Sequence, residues 1–131
     1  NQSIPSQPLP GILKDFLKHF NEKCKTNHNS ILVNRYENGQ DYISAHSDDE
    51  RELVPSANVS SLSLGGKDST RTFIFKDKKT KKIVKKLELC PGTLVDMLPG
   101  CQKRFTHQIN KTQKHRGIRI SLTLRTFKTP P

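Results

Sequence analysis

Tryptophan is absent from these 131 residues, and two tyrosines and six phenylalanines are the whole aromatic complement. A surface that stacks flat ligands on indole rings is thereby excluded. Three cysteines, Cys24, Cys90 and Cys101, are odd in number and show no C-x-x-C spacing. That disfavours a disulfide framework or a zinc knuckle and fits a reducing, intracellular compartment, cytoplasmic or nuclear. No apolar run approaches the ~20 residues needed to span a bilayer, and no secretory leader is recognisable. The chain opens on Asn1 without methionine, as a processed or excised domain would. Acidic side chains are scarce too: 12 Asp and Glu against 23 Lys and Arg leave a formal charge of +11. Such a surplus favours polyanionic partners, nucleic acid ahead of an acidic membrane surface, through phosphate neutralisation and steering.

What remains has a clear rhythm. A chain of 14.9 kDa has room for one core. Its hydrophobic fraction of 31% and mean hydropathy of -0.72 are low, but the apolar residues recur periodically, as a core requires. The proline-punctuated leader Ile4-Pro-Ser-Gln-Pro-Leu-Pro10 cannot continue a helix or a ladder and reads as extended. Ile12, Leu13, Phe16, Leu17 and Phe20 then form the stripe of a helix expected to cover one face of a sheet. Asn27-His-Asn-Ser30 reads as a loop in which His28 is solvated rather than liganding.

From there the spacing predicts strands at 31–36, 42–46, 59–64, 71–76, 83–89, 93–98, 105–109 and 117–127, separated by turn formers such as Gly65-Gly66, Pro91-Gly92 and Pro99-Gly100. Short strands in this number after one helix predict a mainly β jelly roll whose two sheets enclose a ligand pocket. Residues 1–29 are the leader and covering helix and 30–128 the jelly-roll domain, a single domain overall. The lysine-dense run at 75–86 bridges two strands as an exposed hairpin. It guards an edge and can follow a phosphate backbone without reading sequence.

Two stretches carry chemistry. His46-Ser-Asp48 is an H-x-D, and two residues apart on an extended segment set both side chains on one face, where they can meet a single ion. A redox-active divalent ion such as Fe(II) is commonly held by two His and one carboxylate, with open positions left for cosubstrate and dioxygen. The spacing leaves the third ligand open, with His107, in an apolar-polar alternation, and His115, in the Lys/Arg-rich loop 111–116, among the remaining histidines. In Arg119-Ile-Ser-Leu-Thr-Leu-Arg125, alternation puts Arg119, Ser121, Thr123 and Arg125 on one face. If that face looks into the pocket, two guanidinium forks can grip a short dicarboxylate.

Taken together and in order, Asn34-Arg-Tyr36 with Gly39, His46-Ser-Asp48-Asp-Glu50-Arg-Glu, His107 and Arg119-Ile-Ser-Leu-Thr-Leu-Arg125 resemble the AlkB family of Fe(II)- and 2-oxoglutarate-dependent dioxygenases. The likeness runs from about Asn34 to Phe127. It implies a double-stranded β-helix, the cupin-like jelly roll, with His46, Asp48 and His107 as iron ligands. It implies that Asn34 and Tyr36 hydrogen-bond 2-oxoglutarate, that Arg119 pairs with its distal carboxylate and that Arg125 lies against the cosubstrate's end nearer the metal. Ser121 stands where relatives often carry Asn, which implies a weaker polar contact to the cosubstrate. Glu50 matches an acidic position that contacts the exocyclic amine of a target base, and Arg51 beside it is a further expected substrate contact.

The implied reaction splits 2-oxoglutarate to succinate and CO2 with O2 while an N-methyl group is hydroxylated and lost as formaldehyde. Relatives form a nucleotide-recognition lid from residues ahead of the barrel. This chain has little sequence there and no tryptophan, so the lid is either reduced or upstream. The expectation is a monomer, without membrane contact, that demethylates 1-methyladenine or 3-methylcytosine in single-stranded RNA or DNA. An oxygenase of protein or small molecules, or a non-catalytic basic module that binds nucleic acid, are the alternatives.

Overall fold

A computed structural model describes residues 7–129, so the start of the leader, residues 4–6, lies outside the described residues. Helix α1 (Gly11–Cys24) begins behind Pro10, whose carbonyl accepts from the Leu13 and Lys14 amides. It ends at Lys25, in the left-handed conformation at φ 54°. Leu13, Phe16, Leu17 and Phe20 are half-buried, but no residue of the helix is buried. The helix therefore covers less of the sheet than its stripe predicts.

The segment behind it also differs from expectation. His28 is only 3% exposed and not solvated. Its Nδ1 lies 3.0 Å from Thr126 Oγ1, and its Nε2 lies 3.1 Å from Ser60 Oγ, which donates to Asp96 Oδ1. Asn21 brackets its backbone, accepting from the His28 amide and donating to its carbonyl. The run is the predicted loop, but its histidine read as solvated because the partners that bury it are distant in sequence.

Eight strands follow among the described residues: β1 (Ser30–Tyr36), β2 (Ile43–His46), β3 (Val59–Gly65), β4 (Arg71–Asp77), β5 (Ile83–Leu89), β6 (Leu94–Met97), β7 (Phe105–Ile109) and β8 (Arg119–Arg125). A one-turn helix, α2 (Cys101–Arg104), precedes β7 and was not expected. The last strand is shorter than predicted, with Phe127 joined to Leu53 only by an isolated bridge. The strands form two antiparallel sheets, ordered β1-β8-β3-β6 and β2-β7-β4-β5. This is the predicted jelly roll.

Side chains from both sheets meet between them. Tyr36, Val59 and Met97 of the first face Phe73, Phe75, Leu89 and Ile109 of the second, all buried. Each large apolar side chain contributes roughly 1.5–3 kcal/mol by leaving water. Pro91-Gly92 closes the β5–β6 connection: the Thr93 amide donates to Cys90 O, and Gly92 takes φ 84°, which a side chain would oppose. The β4–β5 hairpin turns through Asp77, whose carboxylate accepts from the Lys79 and Thr80 amides.

Candidate metal centre and cosubstrate pocket

His46 is the last residue of β2, and His107 sits in the middle of β7. The two strands pair Ile43 with Ile109 and His46 with His107, so β2 carries one residue more than β7 across that interval. This bulge turns both Ile43 and His46 toward the interior. The Nδ1–H of His46 donates to Ser44 O at 2.9 Å, which leaves Nε2 bare for an ion. The two imidazoles stand edge to face with centroids 4.2 Å apart, and Phe73 lies 5.2 Å from His107 as the apolar floor.

Asp48 lies beyond the end of β2, as the predicted strand 42–46 also has it, and meets the imidazoles from the segment that follows. Gln102 of α2 holds it there, its Oε1 accepting from the Asp48 amide at 2.9 Å, while Ser47 Oγ donates to Phe105 O. Asp48 Oδ2 comes within 3.5 Å of His107 Nε2. Candidate ligand atoms of His46, Asp48 and His107 all lie within 4.8 Å of one another, the spacing one bound cation requires. Burial pushes the Asp48 carboxyl up, but the hydrogen bond and charge of His107, with His46 and Arg125, outweigh it and hold the group below the usual carboxylate range.

A partly open cavity lies beside this triad, lined by both imidazoles, Asp48 and residues of both sheets. Strand register fills its wall. β1 and β8 pair Asn34 with Ser121 and Tyr36 with Arg119, and all four line the cavity. Arg119 is 2% exposed, and among the described residues only its Nη2 has a hydrogen-bond partner, Ser63 Oγ at 3.0 Å. Its Nε and Nη1 are buried without one. A buried guanidinium with unsatisfied N–H groups calls for an anionic oxygen ligand. The donor set therefore fits Fe(II) at the triad and a carboxylate of 2-oxoglutarate at Arg119.

Arg125 closes the other end of β8. Its Nη1 lies 3.7 Å from Asp48 Oδ1 and 3.1 Å from Glu50 Oε2, so it meets both the metal carboxylate and the acidic residue beyond it. Glu50 is at the site but engaged by Arg125. Arg51 is solvent-exposed and does not line the cavity. His115 is 87% exposed in its side chain and pairs with Asp68, away from the triad. Two contributors escaped the sequence reading. Ser63 left a trace in the alternation of β3, whereas Gln102, on a single helical turn, left none.

The sequence profile described as the 2OG-Fe(II) oxygenase superfamily matches residues 2–125. Over 105 residues the chain is 36% identical to DNA oxidative demethylase ALKBH2 of Mus musculus, covering 74% of this chain and 42% of that protein. This chain belongs to the AlkB-type 2OG-Fe(II) oxygenases. The AlkB-type domain is also 32% identical over 139 residues to alpha-ketoglutarate-dependent dioxygenase alkB homolog 3 of Homo sapiens, covering 98% of this chain and 48% of that one. It thus spans about half the length of the curated relatives it matches. Among solved structures, OsALKBH1 shares its fold at a TM-score of 0.59 and 20% identity, over 90% of this chain and 64% of that one.

Proposed function

We propose that residues 30–128 form the catalytic domain of an Fe(II)- and 2-oxoglutarate-dependent demethylase. The substrates are N-methylated bases, 1-methyladenine or 3-methylcytosine, in single-stranded RNA or DNA. The observation that carries this is the buried, half-satisfied Arg119 opening into the same cavity as His46, Asp48 and His107. His46, Asp48 and His107 hold the iron; Asn34, Tyr36, Arg119 and Ser121 hold 2-oxoglutarate. Bound together, metal and cosubstrate supply the oxidising power that hydroxylates the methyl group with O2.

The chain's own part is position and dryness. Arg119 anchors the distal carboxylate with its planar fork, and Phe73, Ile43 and Ile109 line the cavity with apolar surface against water. Arg125 steadies Asp48 and presents Glu50, whose carboxylate accepts from the exocyclic amine of the base when it leaves Arg125. Lys78, at the root of the lysine hairpin, pairs with Asp49 at 3.7 Å, so the hairpin rises beside the mouth where a phosphate backbone passes. No tryptophan is available to fill the gap a base leaves on extrusion from a duplex. A single strand spares that cost of a few kcal/mol. Relatives named as a DNA oxidative demethylase and an alpha-ketoglutarate-dependent dioxygenase support the reading, and three free cysteines fit a reducing cytoplasm or nucleus.

A panel of methylated and unmethylated oligonucleotides, RNA and DNA, single and double stranded, tests it through formaldehyde and succinate release. Methyl- and iron-dependent formaldehyde, fastest on single strands, is expected. Succinate without any methylated-base dependence would move the substrate to another class, and a duplex turned over as fast as its single strand would end the strand preference.

A further inference from the structure

Arg71 opens β4 and is 3% exposed, yet among the described residues its guanidinium meets no carboxylate. Its hydrogen bonds go to main-chain carbonyls alone. Nη1 donates to Asn38 O at 3.3 Å, and Nη2 is shared among Gly39 O at 3.4 Å, Asp41 O at 2.8 Å and Asn110 O at 2.7 Å. These carbonyls belong to two separate segments, the turn between β1 and β2 and the exit of β7. Tyr36 enters the first, and His107 lies just ahead of the second.

The two segments also touch directly. The Thr112 amide donates to Gly39 O at 2.9 Å, and a Cβ on Gly39 would stand 2.5 Å from Thr112 O. Arg71 does not line the cavity. Its Cζ is nonetheless 5.7 Å from the centroid of the Tyr36 ring, the same ring that Arg119 approaches at 4.8 Å. A buried cation satisfied by neutral carbonyls keeps its positive field, and a planar guanidinium with five donors ties two loops through more and better-directed bonds than a three-donor ammonium.

We infer that Arg71 is a positioning residue for cosubstrate binding: by clasping the 38–41 turn to the exit of β7 it fixes Tyr36 beside Arg119, and its charge adds to the pull on a carboxylate it does not touch. This rests on the cosubstrate pocket proposed above. It differs from the roles of Arg119 and Tyr36 because Arg71 acts from behind the wall.

The test compares Arg71→Lys with the wild-type protein in two readouts. The first is the 2-oxoglutarate dependence of the melting temperature with redox-silent Mn(II), which involves no turnover; the second is the split between KM for 2-oxoglutarate and kcat in succinate formation. Half-saturation in both should rise about tenfold, the usual scale for a group supporting a ligand-binding shell. The effect on kcat should be smaller, and Mn(II) affinity without 2-oxoglutarate should hold. Half-saturation within twofold of wild type would overturn the inference. Gly39→Ala prises the same clasp apart without touching a charge and should shift half-saturation the same way; it carries the test if Arg71→Lys does not fold, and an unchanged value there also overturns the inference. A wild-type protein that neither binds nor converts 2-oxoglutarate removes the pocket reading and this inference together, whereas one that does so alongside an indifferent Arg71→Lys removes the inference alone.

Discussion

Arg119 and Arg125 stand at the two ends of one strand face and meet different demands. Arg119 is sealed in the cavity with two of its nitrogens unpartnered, so its worth appears only when an anion arrives. A lysine there keeps the charge but loses the planar fork. Arg119→Lys should raise KM for 2-oxoglutarate about tenfold or more, the scale of one charge-assisted hydrogen bond at ~1.5–3 kcal/mol; an unchanged KM in succinate assays would show that the cosubstrate is anchored elsewhere. The same scale separates the two candidate third ligands. Loss of His107 removes a buried imidazole beside Asp48, whereas His115 lies out in solvent against Asp68. Mn(II) titrations of His107→Ala and His115→Ala should show binding abolished in the first and retained in the second, and the reverse pattern would reassign the site.

Between elements, the reach of sequence reasoning follows the physics of periodicity. All eight strands were legible because a period of two leaves its mark on every residue, as in β8, where Arg119 and Ser121 face the cavity while Leu124 is fully buried on the other side. A four-residue helix has no period to display. α2 was therefore invisible, and so was Gln102, which holds Asp48 past the end of its strand. The register that sets Tyr36 opposite Arg119 is a long-range property that motif order implied but no local pattern stated. The lysine hairpin was legible as charge, and the fold adds its address: Lys78 also donates from its amide to Arg104 O, fastening the hairpin root to α2. If the tip follows a single strand, replacing Lys79, Lys81 and Lys82 with Gln should lower the slope of log affinity against log salt by about 2, at roughly 0.7 per phosphate contact. Filter-binding titrations across a salt series measure that slope, and a slope unaltered by the triple substitution would take the hairpin off the nucleic acid.

Across the whole molecule, one buried histidine ties the helix to the first sheet. His28 receives the end of the α1 region through Asn21, reaches Thr126 behind β8 and meets Ser60 of β3, which in turn donates to Asp96 of β6. Because the Ser60 hydroxyl proton goes to Asp96, the proton of neutral His28 sits on Nε2 and Nδ1 accepts from Thr126. Desolvation lowers the His28 pKa from its ordinary 6.5, and the negative charge of Asp96 offsets this only in part. A depressed histidine binds its proton more readily unfolded than folded, so stability increases with pH through this group. The contribution is complete above about pH 6.5 and is lost as pH falls toward the folded value. Urea midpoints should therefore decline from pH 7.5 to 5.5 in the wild type, more steeply than in His28→Gln, which cannot titrate. His28→Ala, which strands the Ser60 and Thr126 hydroxyls, should cost about 1–3 kcal/mol at neutral pH. Parallel pH profiles for wild type and His28→Gln would mean that the decline belongs to other groups and that His28 serves as a neutral strut at every pH.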